Sequence, residues 1–219
     1  DKAGEAQTLN NIGMVHWSSG DMPTALDYFN KALPLRRAAG DQAGEANTLN
    51  NLGLVYDSLG DKQKALDYYR QSLIPRRASG DRESEAGTLN NMGMAYLSVA
   101  ETQKALDYLN QALPIRRAFN DRRGEADTLS NIGAAYLSLG DAQRSLEYFT
   151  QALPLRRATG DLRGEGAVLT TGLRCRWSLT VCFVCCFAAA GGKRGEQHPD
   201  RRARSCESAF GFGARGIAA

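Results

Sequence analysis

Hydrophobic residues in the first three quarters of the chain recur at helical spacing, in segments that polar turns interrupt. In one segment Leu49, Leu52 and Tyr56 fall on one face of a helix, and in the next segment Ala65 and Tyr69 do the same. The dipeptide Gly-Asp separates the two segments and is typical of a turn. The pattern therefore predicts pairs of amphipathic helices joined by tight turns.

The pattern repeats every forty residues without a gap. Four full copies span residues 1–40, 41–80, 81–120 and 121–160. A fifth copy begins at Asp161 and stops at Leu169. A fixed period of this length is typical of stacked arrays, because each unit is too small to bury its own apolar face and must pack on its neighbours. Residues 1–169 are thus predicted to form an all-α, right-handed solenoid of antiparallel helix hairpins.

Helix ends are marked by acidic residues and glycines. Asp41 and Asp61 are suited to cap the first and second helices of the second unit. Glycine recurs where a helix should end in a left-handed residue, at Gly40, Gly60, Gly80, Gly140 and Gly160. Asn120 replaces glycine at one such position and tolerates the same conformation. Ala100 replaces another, and there we expect the turn to change shape rather than place alanine at positive φ.

A second set of glycines lies in the middle of each first helix, at Gly13, Gly53, Gly93 and Gly133. Glycine costs about 1 kcal/mol relative to alanine in a helix interior, so its return in every unit predicts a close helix–helix contact. The second helix supplies small residues for that contact, namely Ala25, Ala65, Ala105 and Ser145. The remaining core is expected to be filled by Phe29, Tyr69, Leu109 and Phe149.

Each second helix contains a proline shortly before its expected end, at Pro34, Pro75, Pro114 or Pro154. Proline removes a backbone donor and clashes with the preceding turn. Two outcomes are predicted: a kink at the proline, or an early end followed by a short helical turn. The arginine pairs that follow, such as Arg36-Arg37, are expected to favour the helix C-terminus and to bridge to acids that open the next unit. A basic stripe for an acidic partner is the alternative, which the interleaved acids disfavour.

These residues resemble the tetratricopeptide repeat pattern. In the second unit it is carried by Leu49, Asn51-Leu52-Gly53, Tyr56, Gly60-Asp61, Ala65 and Tyr69. A forty-residue unit is longer than the common thirty-four. It resembles the subclass found in kinesin light chains and in spindle-orientation adaptors with GoLoco motifs. The resemblance implies an adaptor that binds a protein or peptide partner in a concave groove lined by the first helix of each unit.

The resemblance also implies which residues line that groove. An asparagine precedes the apolar-Gly pair in each unit, at Asn11, Asn51, Asn91 and Asn131. In relatives of this fold it bonds the backbone or carboxylate of a peptide, for which an amide offers both donors and an acceptor. The alternative is that it caps or bridges neighbouring first helices. Further candidates lie beside it, at Asn10, Asn50, Asn90, Met14, Leu54, Met94, Trp17, Asp57 and Leu97. The apolar members predict a ligand with some apolar character, whereas the cations of a C-terminal carboxylate clamp are missing from the expected positions.

Signals for other chemistry are weak in residues 1–169. This part has one histidine, no cysteine and no phosphate-binding glycine loop. Its net charge up to Val168 is −2, without a basic stripe that carries stacking aromatics. We therefore expect no enzymatic activity, cofactor, metal or nucleic-acid partner, no membrane contact for the array, and a cytoplasmic location. End-to-end self-association, or a sensor role within a larger signalling enzyme, are the alternative functions. Because Asp1 enters in mid-unit, we expect the chain to be part of a longer protein.

The composition changes abruptly at the tail, residues 170–219. All five cysteines lie there, and the net charge from Leu169 onward is +5. The uncharged run 177–190 suggests a membrane or lipid anchor, although about 20 residues are needed to span a bilayer. A metal cluster lacks a second properly spaced Cys/His pair. The third interpretation, a shifted reading frame, is favoured by the loss of the repeat and of acidic residues at one point. Beyond Gly191 the tail is predicted to be largely disordered.

Overall fold

The computed structural model of the protein describes residues 1–170, so the interpretations of the tail lie outside the described residues. Eight helices are complete in this part of the chain: α1 (Lys2–Ser18), α2 (Met22–Ala38), α3 (Gln42–Ser58), α4 (Lys62–Ser79), α5 (Arg82–Ser98), α6 (Thr102–Ala118), α7 (Arg122–Ser138) and α8 (Ala142–Ala158). A further helical segment, α9, covers residues 162–170. The described part contains no strand, and the all-α prediction is confirmed.

Consecutive helices form hairpins that stack in chain order. The first and second helices of each unit pack against each other, and each second helix packs against the first helix of the next unit. First helices also contact one another directly, α1 with α3, α3 with α5 and α5 with α7. No comparable contact joins two second helices within residues 1–170. The first helices therefore line the inner side of the array.

Aspartate caps begin most of the helices. In α3 the side chain of Asp41 accepts a hydrogen bond from the backbone N–H of Gly44, and in α4 Asp61 accepts one from Lys64. At the start of α6 this residue is Glu101, whose side chain makes no capping bond. A carboxylate on the longer glutamate side chain is poorly placed to reach the N–H two or three residues ahead.

The turns at Ala100 and Asn120 both adopt positive φ, at 60° and 54°. The prediction for Asn120 is confirmed, and the one for Ala100 is wrong. The Ala100 turn keeps the usual backbone bonds, from Ala100 N–H to the Leu97 carbonyl at 3.1 Å and from Glu101 N–H to the Tyr96 carbonyl at 3.0 Å. The two helices that the turn joins, α5 and α6, pack against each other, so the strain of roughly 1–2 kcal/mol at one alanine is tolerated.

The mid-helix glycines lie directly against large side chains of the second helices. A Cβ atom on Gly53 would lie 2.4 Å from Tyr69 Cε1, and one on Gly13 would lie 2.7 Å from Phe29 Cε1. The predicted close contact is confirmed, but the nearest side chain is a large one, an aromatic ring in three units and Leu109 in the third, rather than the small residue nearby. Glycine is needed because this side chain occupies the space of the missing methyl group.

The second helices continue through their prolines to Ala38, Ser79, Ala118 and Ala158. The predicted early end is therefore wrong. Pro34 is exposed, as is Asn30, the residue whose carbonyl would have accepted the missing bond. A carbonyl on the exposed side can be satisfied by solvent. The last turn is meanwhile held by Arg36, which is buried against the next unit.

Candidate peptide-binding groove

The asparagines of the inner side form a ladder of hydrogen bonds between neighbouring first helices. Asn51 Nδ2 donates to Asn10 Oδ1 at 3.0 Å, and the same oxygen accepts from Thr48 Oγ1 at 3.3 Å. The amide bond recurs between Asn91 and Asn50 at 3.4 Å and between Asn131 and Asn90 at 3.0 Å. The alternative in which asparagine bridges first helices is therefore present in the structure.

The bridging bonds use only part of the hydrogen-bonding capacity of these amides. The donor side chains of the ladder are those of Asn51, Asn91 and Asn131. All three are half-buried, so they are not sealed between hairpins. Among the bonds of residues 1–170, the Oδ1 atom of each donor asparagine has no partner. Each junction of the ladder thus keeps an acceptor oxygen at the inner surface, on a side chain already fixed by one bond.

Asn11 stands apart from the ladder. It is exposed and accepts a bond from Gln7 Nε2 of its own helix at 2.8 Å. Its equivalents in later units each bond back to the preceding first helix, and within the described residues α1 has no first helix before it. The structure therefore places three of the four predicted asparagines as equivalent donors at successive junctions of the first helices.

The apolar candidates are less exposed than the sequence suggested. Met94 is 46% exposed, whereas Met14 and Leu54 are half-buried against core clusters. Leu97 packs against two core clusters at once. Leu137, the next residue along that column, is exposed. The apolar part of the groove is thus concentrated on α5 and α7.

Two other candidates have partners within the array. Trp17 Nε1 donates to Ser58 Oγ at 3.2 Å and so links the first helices of the first two units. Asp57 forms an ion pair of 2.9 Å with Lys62 across the turn of its own hairpin. Asp57 therefore stabilises the turn between α3 and α4, and we assign it no separate role toward a ligand.

The first arginines of the four pairs form a column near the groove, which consists of Arg36, Arg76, Arg116 and Arg156. From the sequence they were expected only to favour helix C-termini and to bridge to acids of the next unit. The first arginine of each pair lies between its own hairpin and the next one. Arg36 bonds Asp41 and Gln7, and Arg76 Nη2 donates to Asn47 Oδ1 at 3.0 Å. Burial lowers the pKa of Arg76, and Asp81 opposes this. The side chains that receive these bonds recur every forty residues, and that spacing is the signal that could have revealed them.

The second arginine of each pair bridges to the next unit, as predicted. Its Nε atom lies 2.7 Å from a glutamate oxygen in four pairs: Arg37–Glu45, Arg77–Glu85, Arg117–Glu125 and Arg157–Glu165. In each pair the arginine side chain is about half exposed and the glutamate is more buried, most of all Glu85. Ion pairs that are open to solvent contribute about 0–1 kcal/mol each. They leave little uncompensated charge on this surface, which agrees with the preference against a basic stripe.

Arg76 differs from the other arginines of the column because one residue near it differs between the repeats. Gly44 lies so close to Arg36 that a Cβ atom would approach its Nε to 2.5 Å. The equivalent residue in the third unit is Ser84. There, within the described residues, Arg76 makes no ion pair with Asp81, whereas Arg36 pairs with Asp41. The serine side chain takes the space that the guanidinium needs to reach the capping aspartate.

Comparison with known proteins agrees with this architecture. The sequence matches the profile described as Tetratricopeptide repeat over residues 4–73 and 84–158. No curated protein matches the chain. No helix within residues 1–170 has the length and apolar character required to cross a bilayer.

Solved structures with a similar fold share little sequence identity. Aspartyl phosphate phosphatase F from Bacillus subtilis aligns with a TM-score of 0.74 and 14% identity, over 78% of this chain and 45% of that one. A signal transduction ATPase with a tetratricopeptide repeat sensor, from Pyrococcus horikoshii, gives 0.72 and 17%, over 78% and 27%. Putative kinesin light chain repeats from Podosopora anserina give 0.66 and 14%, over 97% and 99%.

The profile match covers well over half of the sequence, and the hairpins, turns and glycine contacts recur at the matched positions. The forty-residue unit also resembles that of kinesin light chain arrays, one of which is similar along its whole length. The chain is a member of the tetratricopeptide repeat family.

Proposed function

We propose that the array is a protein-interaction module that binds a peptide segment of a partner along its inner groove. The observation that carries this proposal is the asparagine ladder, which leaves an acceptor oxygen without a partner in the described part of the chain at each junction of α1, α3, α5 and α7. An extended peptide presents backbone N–H groups that such oxygens can accept. Met94 and Leu137 add apolar surface beside the ladder.

The ladder also makes binding less costly in entropy. Asn91 and Asn131 are each held by a bond to the preceding first helix, so their rotamers are restricted before any ligand arrives. Groups that are already ordered lose less conformational freedom when they bind. A peptide thus gains hydrogen bonds from side chains that the array has positioned in advance.

The apolar part of the proposal can be tested with charge substitutions. Peptides selected from a displayed library on the full 219-residue chain are labelled, and their affinity is measured by fluorescence anisotropy. Met94→Glu combined with Leu137→Glu should weaken binding by at least about tenfold, because a charge is buried against an apolar ligand. Ile74→Glu is the matched control, since Ile74 is 71% exposed on the second helix α4. Equal affinity of the groove variant, or equal loss in the control, would contradict the proposal.

The asparagines need their own control because they also bridge helices. Asn91→Ala with Asn131→Ala removes both the bridging bonds and the free oxygens, and each lost bond costs about 0.5–1.5 kcal/mol of stability. Thr88→Val with Thr128→Val weakens the same ladder from buried positions that no ligand reaches. Loss of peptide binding in the asparagine pair alone supports direct contact. Equal loss in both pairs means that the ladder only holds the helices together.

The same proposal treats the array as non-catalytic and cytoplasmic. End-to-end self-association remains the second candidate because of one observation on α1. Val15 is 65% exposed, whereas its equivalent Val55 is fully buried under the preceding hairpin. Sedimentation of the wild type and Val15→Glu over a range of concentrations separates the two candidates. A concentration-dependent mass that Val15→Glu abolishes favours self-association.

A further inference from the structure

One glycine in the groove has no steric reason to be a glycine. Gly87 lies in the interior of α5, where glycine is among the least favourable residues. Among residues 1–170, a Cβ atom there would meet only Arg116 Nη2, at an ordinary contact distance of 3.5 Å. In contrast, a Cβ atom on Gly93 of the same helix would lie 2.6 Å from Leu109 Cγ. Packing therefore explains Gly93 but not Gly87.

The equivalents of Gly87 are the side chains that bind the buried arginine column. Gln7 accepts from Arg36, Asn47 accepts from Arg76, and Asp127 pairs with Arg156. The missing side chain at Gly87 leaves its arginine without this partner. Among the contacts of residues 1–170, Arg116 pairs with Asp121 through Nη1, and Nη2 has no hydrogen-bond partner.

The exposed fraction of the Arg116 side chain is consistent with an open space beside Gly87, between α5 and α7, which we call the notch. Its side chain is 17% exposed, against 6% for Arg36, which Gln7 covers. Its Nε atom is buried and unpartnered, as it is in Arg36, Arg76 and Arg156, so the feature that distinguishes Arg116 among residues 1–170 is its unpartnered Nη2 atom. The guanidinium lies between α5 and α7, since it approaches both Gly87 and Gly124. Its free nitrogen thus faces the space that a side chain fills in the other units.

We propose that the notch at Gly87 is a subsite for a carboxylate group of the bound peptide, which accepts a hydrogen bond from Arg116 Nη2. This inference rests on the proposed function, because the notch belongs to the same inner surface. On α1 the equivalent residue Gln7 bonds Asn11, one turn along the helix. Gly87 therefore lies one turn from Asn91, a member of the ladder.

A carboxylate is favoured over a neutral group by an arrangement within the chain itself. Arg156 Nη1 binds two carboxylates at once, those of Asp127 at 2.9 Å and of Asp161, while its Nη2 donates to Ser130 Oγ at 3.1 Å. Arg116 has the second of these in Asp121 and lacks the first. The position thus accommodates two anions around one guanidinium, and at Arg116 one of the two places is open to a ligand. A charge-assisted bond there is stronger than a bond between neutral groups.

The subsite can be tested without knowing the partner. The probe is acetate, titrated into the ¹⁵N-labelled full chain at constant ionic strength with chloride as the balancing anion. The Arg116 Nε–Hε resonance, assigned by its loss in Arg116→Lys, should shift and saturate. The resonances of Arg36 and Arg76 should not respond, because protein side chains already occupy their notches. Gly87→Asn is the matched variant, since Asn47 fills this position one unit earlier, and it should abolish the response. No shift at Arg116, or equal shifts in all these arginines, would overturn the subsite.

Selected peptides then test the subsite in the groove. Replacing their acidic residues by the corresponding amides, or amidating their C-terminus, shows which carboxylate is used. The effective change should weaken binding about tenfold to the wild type and have little effect on Gly87→Asn. Peptides that bind with no preference for a carboxylate would refute the subsite while leaving the proposed function intact. A saturating acetate response without any peptide binding would refute the proposed function instead.

Discussion

Replacement of Gly53 by alanine measures how closely the two helices of a hairpin approach. The added Cβ would lie 2.4 Å from Tyr69 Cε1 and 2.6 Å from Tyr69 Cδ1. Tyr69 is 1% exposed and lies in the core cluster of the second and third units. The ring has no free space to move into, so the helices must separate or the tyrosine must leave its rotamer.

Two terms of opposite sign decide the outcome. Alanine gains about 1 kcal/mol over glycine in a helix interior. Overpacking a dense core costs typically about 1–3 kcal/mol, and a contact this short belongs at the upper end. We therefore expect Gly53→Ala to lower the free energy of unfolding by about 1–2 kcal/mol.

The measurement is urea unfolding followed by far-UV circular dichroism, with Gly87→Ala as the matched control. The same chemical change at Gly87 meets only Arg116 Nη2 at 3.5 Å, so the propensity term should dominate. Gly87→Ala is expected to raise the free energy of unfolding by up to about 1 kcal/mol. If Gly53→Ala proves as stable as the wild type or more stable, close helix approach is not the reason for the repeated glycine.

Three further predictions concern the turns and the charged caps. Ala100→Gly should raise the free energy of unfolding by about 1 kcal/mol, because it relieves a φ of 60°. Ala39→Gly, at a φ of −86°, should lower it in the same urea assay. Glu101→Asp should add about 0.5–1 kcal/mol to the free energy of unfolding by creating the missing cap of α6, and an unchanged urea midpoint would contradict this. The pKa of Asp61 is lowered by its side-chain bond to Lys64, and the pKa of Asp161 by the backbone N–H of Gly164. These groups stabilise the fold above their unfolded pKa of about 3.9 and lose that effect as pH falls through their lower folded values. The urea midpoint should thus fall as pH decreases below about 4, less steeply in Asp61→Asn, and an identical slope in that variant would count against the assignment.

Much of the fold follows from local patterns that are visible in the sequence. The forty-residue period, the helical stripes and the Gly-Asp turns predict the hairpins and their order, because helix periodicity and capping depend on residues close in the chain. The core positions of Phe29 and Tyr69 follow from the same stripes. Ala100 shows the limit of such reasoning, since the packing of α5 on α6 holds it at positive φ against its local preference.

The groove depends on contacts between units, which a local pattern does not specify. The sequence alone indicated that paired asparagines such as Asn50 and Asn51 face the groove, but only the stacking of first helices decided that one accepts and the other donates across the junction. It likewise brought Arg116, near the end of α6, to the notch at Gly87, which lies twenty-nine residues earlier in the chain. Helices and turns are determined by neighbours in sequence. The chemistry of the inner surface is determined by how far each hairpin is rotated and shifted on the one before it.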